Sequence, residues 1–388
     1  MIFLDYNSTT PLDRRAKLAM EELPEFIANP GSSQHSLGRQ SEHTLTKARE
    51  IIAAALEVST QEIIFTSGAS EAAAIALYGL GLFEGKTAGA QRNRILTTRL
   101  EHKAVLETLV NLAELKNIKI EFIPTSSDGE VDLEALTDSL GDDVIFGCFM
   151  AVNNEIGHHQ DLTTISELLH RNGAFLVSDF TQALGKTELG DLHKVDAFFF
   201  SGHKIYGPRG IGALVIRRLA QKNMFHLLFG GGQERGFRGG TPHVQAAVGL
   251  AAAVELAVDN LSHDTLHYKV LRERFLETLK ESGVTFNING DPETTVPNTI
   301  NFQLPGVDGE ELIANCPQLA ISTGSACNSA NPEPSHVLLG LGMSFKAASE
   351  SVRVSLGRQS TLEEVTDAAK IIAAYVVPAQ NEDLGGSK

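Results

Sequence analysis

The chain has no tryptophan, only three cysteines and no surplus of basic residues, and the last two each argue against a class of function. Cys148, Cys316 and Cys327 form an odd set without a Cys-x-x-Cys pair, so neither a disulfide framework nor a structural zinc site is indicated. Lys and Arg number 32 against 48 Asp and Glu; the formal charge of −16 argues against direct nucleic-acid binding and adhesion to an anionic membrane. It suits a basic protein partner better. No apolar run approaches the ~20 residues of a membrane span. Met1-Ile2-Phe3-Leu4-Asp5 meets an acid too early for a signal peptide, which predicts a cytoplasmic location. Glycine, by contrast, is plentiful: 35 glycines in 388 residues with 42% hydrophobic content predict a packed chain with many turns and two or three structural units.

Strand-like segments at 62–66, 94–97, 118–122, 144–150, 175–178 and 197–201 alternate with helical patterns, which predicts an α/β fold around a doubly wound sheet. The helix opening near Ser70 is apolar nearly all round and should be buried. It follows Thr66-Ser67-Gly68-Ala69-Ser70, and a strand, a small-residue turn and a helix N-terminus together suit a phosphate. After the glycine-rich 230–241 segment come helices at 244–257 and 266–281. A smaller α+β unit follows, with a strand at 298–304, a short helix from Glu310 and a last helix over 361–377. That helix opens on the capping-box pattern Thr361-Leu362-Glu363-Glu364. The polar end, 381–388, is expected to fray.

The stretch Phe198-Phe199-Phe200-Ser201-Gly202-His203-Lys204 delivers one lysine from a buried-looking aromatic run into a small polar turn. Alone, it also fits an ordinary surface turn. A partly desolvated lysine can form a Schiff base, and Ser201 and His203 beside it can bind an anion, a combination that suits pyridoxal 5'-phosphate. Upstream, Asp179 closes the apolar run 174–177, where ligands of open α/β sheets sit, and can pair with the cofactor's ring nitrogen.

Two patterns mislead. Gly85-Lys86-Thr87 and Gly185-Lys186-Thr187 end like a nucleotide-binding P-loop, but Leu80 and Phe180 replace its first glycine. His158-His159 point to opposite faces of an extended segment and read as a solvated pair rather than metal ligands. Cys148 lies in a strand-like run and reads as buried and inert, and Cys316 as structural. Cys327 differs: Gly324-Ser325-Ala326 precede it and Asn328-Ser329-Ala330-Asn331 follow, a loop of small polar residues that leaves a thiol reactive.

With Leu4-Asp5-Tyr6-Asn7-Ser8-Thr9-Thr10-Pro11, Asn29-Pro30-Gly31-Ser32-Ser33-Gln34-His35, Phe65-Thr66-Ser67-Gly68-Ala69-Ser70-Glu71, Glu101-His102-Lys103, Val152-Asn153-Asn154-Glu155-Ile156-Gly157 and Gly324-Ser325-Ala326-Cys327, the chain resembles the cysteine desulfurases almost end to end. These are pyridoxal-phosphate enzymes of the class V aminotransferase group. The resemblance implies fold type I: a mostly parallel seven-stranded sheet flanked by helices, with a large cofactor domain over 16–260 and a small domain from 1–15 and 261–388. It implies that Lys204 carries the cofactor, Asp179 pairs with the ring nitrogen, Gln182 contacts the ring hydroxyl and His102 stacks on the ring. Ala69, Ser70, Ser201 and His203 would hold the phosphate, with Thr241 reaching in from the second subunit of a homodimer. Arg353, assisted by Asn154, would clamp the carboxylate of L-cysteine. Arg358 is read as a structural ion pair. Cys327 would take the substrate sulfur as a persulfide, release L-alanine and pass the sulfur to an acceptor protein. Acceptors of this kind serve iron–sulfur assembly, tRNA thiolation or DNA phosphorothioation. The alternatives are a selenocysteine lyase or another class V enzyme, since 228–235 also occurs in that relative, and a non-catalytic sulfur-pathway subunit. Where the family usually reads Thr-Glu-Ser-Asp/Asn-Asn, this chain has Ser70-Glu71-Ala72-Ala73-Ala74, which removes a polar contact expected near the cofactor.

Overall fold

The computed structural model describes residues 1–83, 92–324 and 334–385. Seven strands form one sheet in the order Ile63–Thr66, Gly212–Ile216, Ala197–Ser201, Phe175–Asp179, Val144–Cys148, Arg94–Thr97 and Lys119–Phe122. Only Gly212–Ile216 runs antiparallel to its neighbours, so the sheet is mostly parallel as expected. That strand is not among the six read from the pattern, although Ala213-Leu214-Val215-Ile216 is the apolar run of a buried strand.

Strand residues alternate between two cores. Ile63, Phe65, Phe198, Phe200, Ala213 and Val215 face a layer that includes helices Ser36–Ala55 and Val244–Asp259. Ile64, Phe199, Leu214 and Ile216 face helices Ala69–Gly81 and Lys103–Lys116. The phenylalanine run is therefore buried on both sides, and its end is fixed rigidly in the sheet. Ala72 and Ala73, which stand where polar residues were expected, are fully buried in this second core. They pack the helix rather than face the cofactor cavity.

A third core joins Leu4 to helix Leu261–Glu281, to strands Thr299–Gln303 and Ser351–Ser355, and to the last helix, Leu362–Gly385. Asn287–Ile288 completes a three-stranded antiparallel sheet, and Ile2–Phe3 pairs in parallel with Leu319–Ala320. We propose that this is the small domain, with the division at 16–260 against 1–15 and 261–388; Val296 is an exception that packs into the first core. The capping box forms, with Glu364 N–H donating to Thr361 Oγ1 at 3.1 Å and Thr361 N–H donating to Glu364 at 2.9 Å. The last helix runs past its expected end at 377, with Pro378 inside it, because packing on Leu261–Glu281 outweighs a proline stop. Among the described residues no single helix is long and apolar enough to cross a membrane.

Candidate active site

Lys204 closes the short turn Gly202–Lys204 directly after strand Ala197–Ser201. A side chain at Gly202 would press within 2.9 Å of the Pro208 carbonyl, so the turn is tight enough to require glycine. The lysine Nζ donates to the carbonyls of Asn7 at 2.6 Å and Ser8 at 2.8 Å. The N-terminal arm is thus pinned across the turn; Thr10 N–H also donates to the His203 carbonyl at 2.8 Å.

Beside it, the turn before helix Ala69–Gly81 approaches the sheet closely. A Cβ on Gly212 would lie 2.8 Å from the Gly68 Cα, and a Cβ on Gly68 would lie 3.4 Å from the Ser201 hydroxyl. Gly68 caps this helix without a side-chain bond. The helices that start after Asp13, His35, His102, Asp132, Asp161 and Asp308 all have their first N–H groups bonded by the cap residue. At Ala69 and Ser70 they are left to an incoming anion. His203 suits that anion as a neutral donor, since burial, with Lys204 and Arg209 nearby, pushes its pKa down to about 4.

Asp179 ends strand Phe175–Asp179 and accepts from the Thr181 N–H at 2.8 Å. Burial pushes its carboxyl up, while Thr181, His102 and Lys204 pull the other way. A protonated ring nitrogen at this carboxylate would add a strong opposing charge. Glu101, buried behind it, is pushed up to about 8, first by burial. His102 caps helix Lys103–Lys116, its Nδ1 accepting from Ala104 N–H at 3.1 Å. The neutral ring therefore carries its proton on Nε2. Burial lowers its pKa, and Asp179 partly opposes that shift.

Arg353 enters from strand Ser351–Ser355 and bonds Asp5 at 2.7 Å and the Asn154 carbonyl at 2.9 Å. Its Nε, the Asn154 Oδ1 and the Thr181 hydroxyl are buried without partners. Gln182 Nε2 donates to the Asn7 carbonyl at 2.9 Å. Ala69, Ser70, His102, Asn154, Asp179, Gln182, Ser201, His203, Lys204 and Arg353 all line one cavity of about 780 Å³. A donor-rich helix end, a carboxylate, a lysine amine and unpartnered polar atoms fit a phosphorylated pyridine aldehyde.

The structure does not bring Thr241 into this cavity; it is exposed, beyond the 230–240 segment whose Arg238 pairs with Glu71 at 2.9 Å. Cys327 lies outside the described residues, as do Gly85-Lys86-Thr87. Asn7, Ser8, Thr9, Arg209 and Gly210 line the cavity although no role was read for them. Asn7 belongs to the quoted Leu4–Pro11 motif, but nothing local signals that its backbone faces a lysine some two hundred residues away. Arg358 is structural, bonding Asp264 at 2.5 Å and lying over the Tyr206 ring. Cys148 and Cys316 are buried. The histidine pair corrects its reading: His159 is exposed, but His158 is 2% exposed, bonded to Thr294 at 3.1 Å. The segment packs against the 291–295 turn, which extended-strand reasoning could not foresee.

The model of the aminotransferase class-V family matches residues 2–367. The cysteine desulfurase IscS of Rickettsia felis is 40% identical over 380 residues, covering 97% of this chain and 91% of its own length. A solved NifS-like protein superposes with a TM-score of 0.87 at 33% identity, over 97% of this chain and 99% of that one. SspA in complex with cysteine superposes with a TM-score of 0.78 at 28% identity, over 92% and 99% respectively.

Proposed function

The chain belongs to the aminotransferase class-V family and is a pyridoxal-phosphate-dependent cysteine desulfurase, and from that premise we propose how its side chains divide the work. When bound, the cofactor supplies an electron sink for the pair left on the substrate carbon as the carbon–sulfur bond breaks. The carrying observation is convergence: Lys204, Asp179, His102 and the open helix end line one cavity with Arg353.

Ala69, Ser70, Ser201 and His203 hold the phosphate, and Asp179 keeps a proton on the ring nitrogen. His102 would pack against the ring, and its neutral Nε2–H can exchange a proton with the substrate. Lys204 would hold the cofactor, and its free amine can move a proton at the substrate Cα. Arg353 takes the carboxylate of L-cysteine, a task that a planar two-pronged donor performs better than an ammonium, and the Asn154 side-chain amide assists by donating an N–H. Asp5 fixes the guanidinium. Cys327 Sγ attacks the substrate sulfur as the Cβ–S bond breaks, which leaves L-alanine and a persulfide on the enzyme.

The acceptor of that persulfide is a protein, and the enzyme works as a cytoplasmic homodimer in which Thr241 serves the other protomer's phosphate site. The exposure of Thr241, outside its own chain's cavity, supports this arrangement. The test is alanine and sulfide release from L-cysteine with a thiol reductant. Wild type releases both in equal amounts, whereas Cys327→Ser keeps the cofactor's visible absorbance and releases neither. Equal release by both proteins would refute the role given to Cys327.

A further inference from the structure

Lys186, in the Gly185-Lys186-Thr187 triplet that mimics a nucleotide loop, is 8% exposed, and among the described residues no carboxylate pairs with it. Its Nζ donates instead to Gln182 Oε1 and to Asn7 Oδ1, the latter at 3.1 Å. A buried ammonium held only by neutral acceptors is expensive, and burial, helped by Lys204 and Arg353, lowers its pKa well below the usual lysine value. Its two acceptors are the residues that hold the cavity together. Gln182 Nε2 donates to the Asn7 carbonyl, which also accepts from Lys204 Nζ. The Asn7 amide donates to Thr299 Oγ1 at 2.9 Å, and its Oδ1 also accepts from Asn298 at 3.1 Å.

The consequence lies in the orientation of one amide. Turned over, Gln182 would set its NH₂ against the Lys186 amine and its oxygen against the Asn7 carbonyl, losing both bonds at once. Held as it is, its oxygen is occupied, and only the second N–H is left for the cavity it lines. We propose that Lys186 is a positioning residue that locks Gln182 as a hydrogen-bond donor toward the cofactor's ring oxygen. This rests on the placement of pyridoxal phosphate proposed above. A donor at that oxygen favours its anionic form, whereas a freely turning amide would also offer its carbonyl and favour the hydroxyl. The groups around Lys186 are Lys204 and Arg353 on one side, and Tyr6, Tyr206, Tyr268 and Arg358 on the other. None is a carboxylate that could pair with its ammonium.

The experiment is a double-substitution cycle on the full-length holoenzyme, with Lys186→Met and Gln182→Leu alone and together. It reads the pyridoxal phosphate dissociation constant and the pH midpoint of the bound cofactor's absorbance. Lys186→Met weakens cofactor binding about tenfold and raises the midpoint, since loss of the donor and loss of any positive charge act in the same direction. In the Gln182→Leu background the same substitution changes either quantity by less than about twofold. Lys186→Gln, which keeps an N–H donor, stays closer to wild type than Lys186→Met and guards against a folding artefact. Equal effects of Lys186→Met in both backgrounds, or a Lys186→Gln protein as impaired as Lys186→Met, would overturn the proposal. Wild-type protein that binds no pyridoxal phosphate would instead overturn the reading beneath it.

Discussion

The two walls of the cavity are built differently. The cofactor wall comes from strand ends and the turns after them: Ser67–Ser70, Asp179–Gln182 and Ser201–Lys204 each lie at the end of a strand of one sheet. The substrate wall is assembled from distant parts of the chain. Arg353 meets Asp5 across 348 positions and Asn154 across 199, and the arm that carries Asp5 also ties down Lys204. A parallel sheet places its strand ends at one edge whatever the sequence between them, so the first wall is robust. The second depends on the small third core holding its register.

The predictions test that contrast. Lys204→Ala should have the largest effect, a loss of at least about 10³-fold in alanine production together with loss of the covalently held cofactor's absorbance. Asp179→Asn should lower kcat by about 10²-fold or more without unfolding the protein, checked by turnover and circular dichroism. On the other wall, Arg353→Lys should raise KM for L-cysteine by roughly tenfold or more, because the paired donors are lost, while cofactor binding is unchanged. A comparable loss of cofactor would show the walls are not separable. Asp5→Asn should act in the same direction but more weakly, since it only steadies the guanidinium.

The smallest expected effect concerns pH. His158 and His203 are each pushed down to about 4, chiefly by burial, so between about pH 6.5 and 4 the unfolded chain binds protons that the fold refuses. Unfolding free energy should therefore fall as pH drops through that window, and His203→Gln should flatten part of the slope in urea titrations of cofactor-free protein. A slope unchanged by that substitution would show that His203 is solvated and not part of a dry phosphate site.

The same contrast decides what could be read without coordinates. Strand ends, the glycine-spaced turns and the Lys204 stretch are local patterns, and the structure brings all of the cofactor-wall residues together except Thr241, which was expected to act in the other subunit. The large sheet has seven strands among the described residues; Gly212–Ile216, an apolar run between two antiparallel partners, is the one not read from the pattern. The Asn7 backbone, the fork of Arg353 on Asp5, the buried side of His158 and the burial of Lys186 all arise from contacts between segments far apart in the chain. Periodicity carries no information about such contacts. Lys186 is the plainest case: nothing in its triplet signals that its amine is buried against Gln182 and Asn7.

The most direct measurement is a single turnover of the holoenzyme with L-cysteine, without reductant, followed by mass analysis of the Cys327 peptide. The account predicts one added sulfur on Cys327 for each L-alanine formed. Alanine formed with the Cys327 peptide unmodified would contradict it.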